Sequence, residues 1–138
     1  MTAVTVIVDA LLTKLRLISE FSKPDCVCDG IPQIDEYTPL PVCHLRELNE
    51  RGIERRGTGW KRSRALQLDL YQNISDGRAA RDALLDSVLN TLVPLTFGVP
   101  LEGTSLLKLS VGEITLEPEE IQSELYLTSI PITIEYTT

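Results

Sequence analysis

Ala65-Leu-Gln-Leu-Asp-Leu-Tyr71, then Asn73-Ile-Ser-Asp-Gly77, then Arg78-Ala-Ala-Arg-Asp-Ala-Leu-Leu85: strand, turn and helix follow one another here, each with its own signal. The first segment alternates strictly. Leu66, Leu68 and Leu70 point one way and Gln67, Asp69 and Tyr71 the other, which is the pattern of a half-buried strand with one wet face. Ser75 or Asp76 is placed to cap the following helix, its oxygen accepting from the orphan backbone N–H groups. That helix extends to about Leu92, with Ala80, Leu84, Leu85, Val88, Leu89 and Leu92 as a broad apolar stripe. Arg81 falls inside the stripe near its start. It either snorkels outward along the helix or makes an ion pair between subunits.

Upstream lies Arg51-Gly-Ile-Glu-Arg-Arg-Gly-Thr-Gly-Trp-Lys-Arg-Ser-Arg64, with six cations and one anion on a chain of net charge −7. The C-terminal part is acidic, residues 102–138 holding seven glutamates and one lysine. Three glycines among so many cations do not pack a core, so residues 49–63 are expected to form a long loop, a feature that is often functional. Trp60, the sole tryptophan, either folds back over the core edge or anchors an interface, where Trp and Arg are enriched. The glycines do not make a phosphate-binding loop. No G-x-x-x-x-G-K-[ST] is present, and the segment precedes a strand rather than a helix. A basic segment on an acidic body suits nucleic acid, the acidic face of a partner, or another copy of the chain, and the separation of sign favours protein.

Further out, Val4, Ile7, Val8, Leu11, Leu15 and Ile18 share one face of a helix over about residues 2–19, firm from Val6 because a β-branched run weakens its first turn. Phe21-Ser-Lys-Pro24 ends it. Residues 25–41 read as loop with a short strand near Cys26–Cys28, and a strand follows over about residues 40–48. After a loop marked by Pro94, Gly98, Pro100 and Gly103, residues 105–116 read as a strand with Leu107, Leu109 and Val111 on one face and Gly112 as a bulge or turn point. Glu117-Pro-Glu-Glu120 is a polar turn. Over residues 122–137, Leu125 and Leu127 set one phase of alternation and Ile130, Ile132, Ile134 and Tyr136 the other, so a bulge or bend is expected near Thr128–Ser129. Pro131 should face an edge or a bulge. The sum is a single α+β domain over residues 1–138: a mostly antiparallel sheet of about four strands with two helices packed on one face.

No apolar run approaches the ~20 residues that span a membrane. The N-terminus lacks the positive segment of a signal peptide, so a cytosol-like compartment is expected. Three cysteines, an odd number, argue against a disulfide framework. Cys26, Cys28, Cys43 and His44 have the wrong spacing for a zinc set, and adjacent strand residues point to opposite faces. A Cys43–His44 nucleophile has no visible third group to orient it. No enzyme, cofactor or metal is therefore expected.

In order and pattern, most of the chain resembles the tail terminator (tail completion) proteins of long-tailed bacteriophages. The resemblance rests on the N-terminal helix, the long segment before the central strand, Ala65–Tyr71 with its turn Ser75-Asp-Gly77 and helix, and the closing Pro131-Ile-Thr-Ile-Glu-Tyr-Thr-Thr138. It implies a virion protein, assembled in the host cytoplasm, that forms a hexameric ring on the end of the tail tube and stops its polymerisation. Its partners would be other copies of itself, the tail tube protein and the head-side connector or neck protein. Genome DNA would pass through without specific binding, and no membrane would be involved. Arg55, Arg56, Trp60, Lys61 and Arg62 are the candidates for contacts with tube, connector or neighbour, and Arg81 for the subunit interface. The alternatives are another neck or head-completion protein, or a nucleic-acid-binding module using residues 51–64.

Overall fold

The computed structural model describes residues 2–23, 25–30, 34, 38–117 and 125–138. In chain order the elements are α1 (Ala3–Leu15), a 3₁₀ turn (Ser19–Phe21), β1 (Val27–Asp29), β2 (Val42–Arg56), β3 (Gly59–Asn73), a second 3₁₀ turn (Ile74–Asp76), α2 (Gly77–Thr96), β4 (Leu106–Val111), β5 (Thr115–Leu116) and β6 (Leu125–Thr137). The sheet runs β1-β2-β3-β6-β4, with β5 also paired to β6. Among the described residues only β1–β2 is parallel. The expected α+β class holds, but with six strands among the described residues rather than about four.

The core follows from the alternation. Leu66, Leu68 and Leu70 of β3 lie opposite Ile132, Ile130 and Thr128 of β6, and Cys43 and Leu45 of β2 lie opposite Leu70 and Leu68. One cluster joins these apolar residues to the buried faces of both helices, among them Ile7, Leu11 and Leu15 of α1 and Leu84, Val88 and Leu92 of α2. The opposite face carries His44, Arg46, Gln67, Asp69 and Ser129.

Helix α1 starts earlier than its β-branched residues suggest, because Thr2 caps it by accepting from the Thr5 N–H at 3.2 Å. It also stops earlier, at Leu15. The expected side-chain cap on α2 is absent: Asp76 is the cap residue but its carboxylate makes no cap bond. Helix α2 runs past Leu92 and through Pro94 to Thr96. The proline lacks the N–H that would bond the Asn90 carbonyl, and Asn90 is exposed, so water can serve that group.

The largest correction concerns residues 49–63. They are not a loop. Strands β2 and β3, fifteen residues each, form one long hairpin closed by the two-residue turn Gly57-Thr58. Gly57 has φ +59° at the first central position, where hairpin turns of type II′ take glycine. Two extra residues interrupt the β2 register, between Glu47 and Asn49 and between Arg51 and Glu54. The second holds Gly52 at φ +62°, the left-handed glycine of a bulge. The cations hid this strand: charge masked the alternation, and the bulges broke its phase.

Strand β6 needs no bend. Its register with β3 is unbroken from Leu125 to Thr137, so Leu125 and Leu127 turn to the face away from the helices while Tyr126 and Thr128 are buried. The phase change was an error of hydrophobicity, since two leucines stand on the outer face and a threonine on the inner. In β4 the irregularity falls between Leu106 and Lys108, so Leu107 is exposed and Leu106 buried, against expectation. Gly112 does mark a break. Its N–H donates to the Pro131 carbonyl at 2.8 Å, and Pro131 faces the interval between β4 and β5, where its missing N–H costs no ladder bond. Of the turn Glu117–Glu120, residues 118–120 lie outside the described residues.

Candidate functional site

The end of the β2–β3 hairpin is a ribbon with two different faces. Arg64 lies opposite Ile134 and Arg62 opposite Tyr136, so both arginines continue the face that Leu66, Leu68 and Leu70 occupy further along. Glu50, opposite Arg64 on β2, turns to the same side. Arg62 Nη2 donates to Glu50 Oε2 at 2.6 Å, and Arg64 spans Glu50 and Glu47 at 3.3 Å each. The Tyr136 hydroxyl donates to Glu50 Oε1, and the Arg62 guanidinium lies over the Tyr136 ring, 5.5 Å from its centre. Hydrogen bonds from Arg62 and then Tyr136 hold the Glu50 carboxyl down at about 2, against a smaller opposing effect of burial. This cluster adjoins the core through Tyr136, which is fully buried. It roots the hairpin.

Beyond the root the arm is exposed. Ile53, Trp60 and Arg62 line one depression, and Ile53 and Trp60 remain 64% and 47% exposed. Gly52, Glu54, Lys61, Ser63 and Glu135 border a second. Arg51, Arg55 and Arg56 are exposed as well, with Arg55 Nε donating to the Gly57 carbonyl at 3.3 Å. Thr138 ties the arm to β6 by exchanging two backbone hydrogen bonds with Trp60, at 3.1 and 2.9 Å. A Cβ on Gly59 would fall 2.2 Å from the Thr138 carbonyl oxygen. Gly59→Val is therefore expected to displace that final rung and to cost about 1–3 kcal/mol, read by chemical denaturation and by faster hydrogen exchange at the Trp60 amide.

The structure thus divides the six candidate residues. Arg55, Arg56, Trp60 and Lys61 sit on the outer arm. Arg62 is committed to Glu50 and Tyr136 inside the chain. Arg81 does not project freely. Its Nε is 3.2 Å from Asp82 Oδ1, and its guanidinium lies over the Tyr126 ring, 4.9 Å from the centre. Sequence reasoning missed Ile53, Glu50 and Tyr136. Their signal was cross-strand register, which cannot be read where a strand is taken for a loop.

On the helix-free face, Asp69 is buried among polar partners. Arg46 Nε stands 2.8 Å from its Oδ2, while Gln67 and Ser129 donate to Oδ1 at 2.8 and 2.9 Å. His44 meets Tyr71 edge to face at 6.3 Å, and burial pushes its imidazole below the usual range. Cys43 points into the core from the same strand, and burial pushes its thiol far up. Cys43 and His44 therefore lie on opposite faces and make no nucleophile–base pair. All three cysteines are free thiols, with Cys26 and Cys43 buried and Cys28 partly exposed. A disulfide-exchange reagent is expected to modify Cys28 alone in the native protein, and slowly, since burial and Asp25 raise its thiol; all three should react after unfolding. Among the described residues no group of three or more His, Cys, Asp or Glu side chains is arranged to hold a metal, and no helix is long and apolar enough to cross a membrane.

No family model matches this chain, and no curated protein matches it. A solved structure does. A chain in the structure described as "Virion of native gene transfer agent (GTA) particle" is similar over 94% of this chain and 93% of its own, with a TM-score of 0.69 and 14% identity. The two chains share a fold. The likeness runs nearly end to end on both sides.

Proposed function

We propose that this chain is a structural protein of a phage-like particle, and specifically a tail terminator. It would form a ring, hexameric in the resemblance, on the end of the finished tail tube. There it blocks further polymerisation and presents a surface to the head-side connector. The observation that carries this reading is the basic arm with its exposed Trp60 and Ile53, projecting from a fold shared with a chain of a virion. An arm that carries exposed cations together with exposed Trp60 and Ile53 suits docking between proteins. The role needs neither catalysis nor a cofactor. The chain would work in the virion after assembly in the host cytoplasm, and genome DNA would cross the ring without specific contacts.

Electron microscopy of particles made without the protein tests this. Overlong or irregular tails are the expected result; tailless full heads would reassign the chain to a head-side neck ring. Absence of the protein from purified particles would sink both. The nucleic-acid alternative rests on the same arm, but Glu47 and Glu50 engage Arg62 and Arg64, leaving fewer cations for phosphates. It requires binding that weakens steeply with salt, and no retardation of DNA or RNA at low salt dismisses it.

A further inference from the structure

Among the described residues, large apolar side chains are exposed at Leu48, Leu107 and Leu116 and in two groups. One is the arm, with Ile53 and Trp60. The other is the far end of the helix pair, where Leu17 is 82% exposed, Val93 43% and Phe97 83%. Leu17 lines a groove of about 510 Å³ between the ends of α1 and α2, together with Glu20, Asn90 and Pro94. Val93 and Phe97 continue the outward stripe of α2, whose earlier exposed positions are Asp82, Asp86 and Asn90. The last turn of α2 holds no basic residue, so the negative end of its dipole is unopposed. Apolar residues stand among cations on the arm; at the helix ends they stand near Glu20, Asp86 and the carbonyl end of α2, with Lys14 as a cation in the groove wall. Neither covers the other within one chain, since both remain exposed.

We propose that Ile53 and Trp60 of one copy seat in the α1–α2 groove of a second copy. Arg55 and Arg56 then reach Asp86, Glu20 and the carbonyl end of α2. Different surfaces of the same chain meet in this contact, so it is head to tail and closes into a ring where the rotation permits. The inference rests on the ring-forming reading above and deepens it by naming the contact.

Photo-crosslinking of the full chain tests it. A benzophenone amino acid replaces Trp60, and in a second variant Ile53, in a mixture of isotopically heavy and light copies. The expected result is an adduct between copies, joining the probe to a peptide from residues 14–20 or 86–97. Asp86→Arg should lower its yield about tenfold, and Arg55→Asp with Arg56→Asp on the other copy should restore part of it. Lack of any adduct between copies from either probe at about 1 mM, above the dissociation constant of even a weak specific contact, overturns the proposal. So do adducts confined to other elements, or a yield indifferent to Asp86→Arg in a folded variant. Adducts as expected from a protein missing from purified particles would leave the contact standing and remove the tail reading.

Discussion

Lowering the pH from 5 toward 2 is expected to loosen the root of the hairpin, and Glu50→Gln should do the same at neutral pH. Glu50 is the shared acceptor of Arg62, Arg64 and Tyr136, and its carboxyl titrates at about 2 instead of near 4.5. A carboxyl that is more acidic when folded than when unfolded stabilises the fold fully above its unfolded value. That contribution fades as pH falls through the folded one. Linkage sets a ceiling of ~3 kcal/mol, and partial exposure of the cluster reduces this to roughly 1–2 kcal/mol. Glu50→Gln keeps an acceptor but removes the charge, leaving Arg62 and Arg64 without their shared carboxylate, and should cost about 2 kcal/mol. The midpoint of urea unfolding against pH measures the first effect. A wild-type curve flat between pH 5 and 2.5, or one that Glu50→Gln does not flatten, would contradict the assignment.

Leu68→Ala is expected to cost about 3–5 kcal/mol. Leu68 is fully buried at the middle of the sheet, between Leu45 on β2 and Ile130 on β6. Flat backbone on both sides holds the site open, so a cavity there cannot collapse as it would between two mobile side chains. That loss approaches the whole margin of a typical domain. Leu68→Met, nearly equal in volume, should cost less than about 1.5 kcal/mol. Equal losses for the two variants would mean that shape rather than cavity volume governs the position.

Ala65–Tyr71 and the helix after it were legible because each obeys one period over several residues. The faces of α1 and β3 came out of the sequence as the structure has them. Legibility failed wherever a residue broke its own period. Leu125 and Leu127 stand on the outer face of β6 and Thr128 on the inner, which imitates a phase slip. Leu107 is displaced by a register shift in β4. In the arm, two extra residues and a run of cations erased the alternation, and the outer parts of β2 and β3 passed for a loop. The candidate residues of the arm were located chiefly by charge. Charge could not separate Arg62, held inside the chain, from Arg55 and Arg56, which are exposed. Charge says that a guanidinium is present; only register says which carboxylate it meets.

The two interruptions in β2 have a consequence for assembly. Among the described residues, nothing pairs with the outer side of β2 beyond Leu45, where β1 ends its pairing, and such an edge is the usual route to fibrils and amorphous precipitate. Each inserted residue twists that side out of line, and arginine and glutamate side chains add repulsion against a like strand. In the proposed ring, each copy must stay soluble until its place is ready. An arm shaped this way disfavours indiscriminate backbone pairing, which fits the proposed contact through side chains.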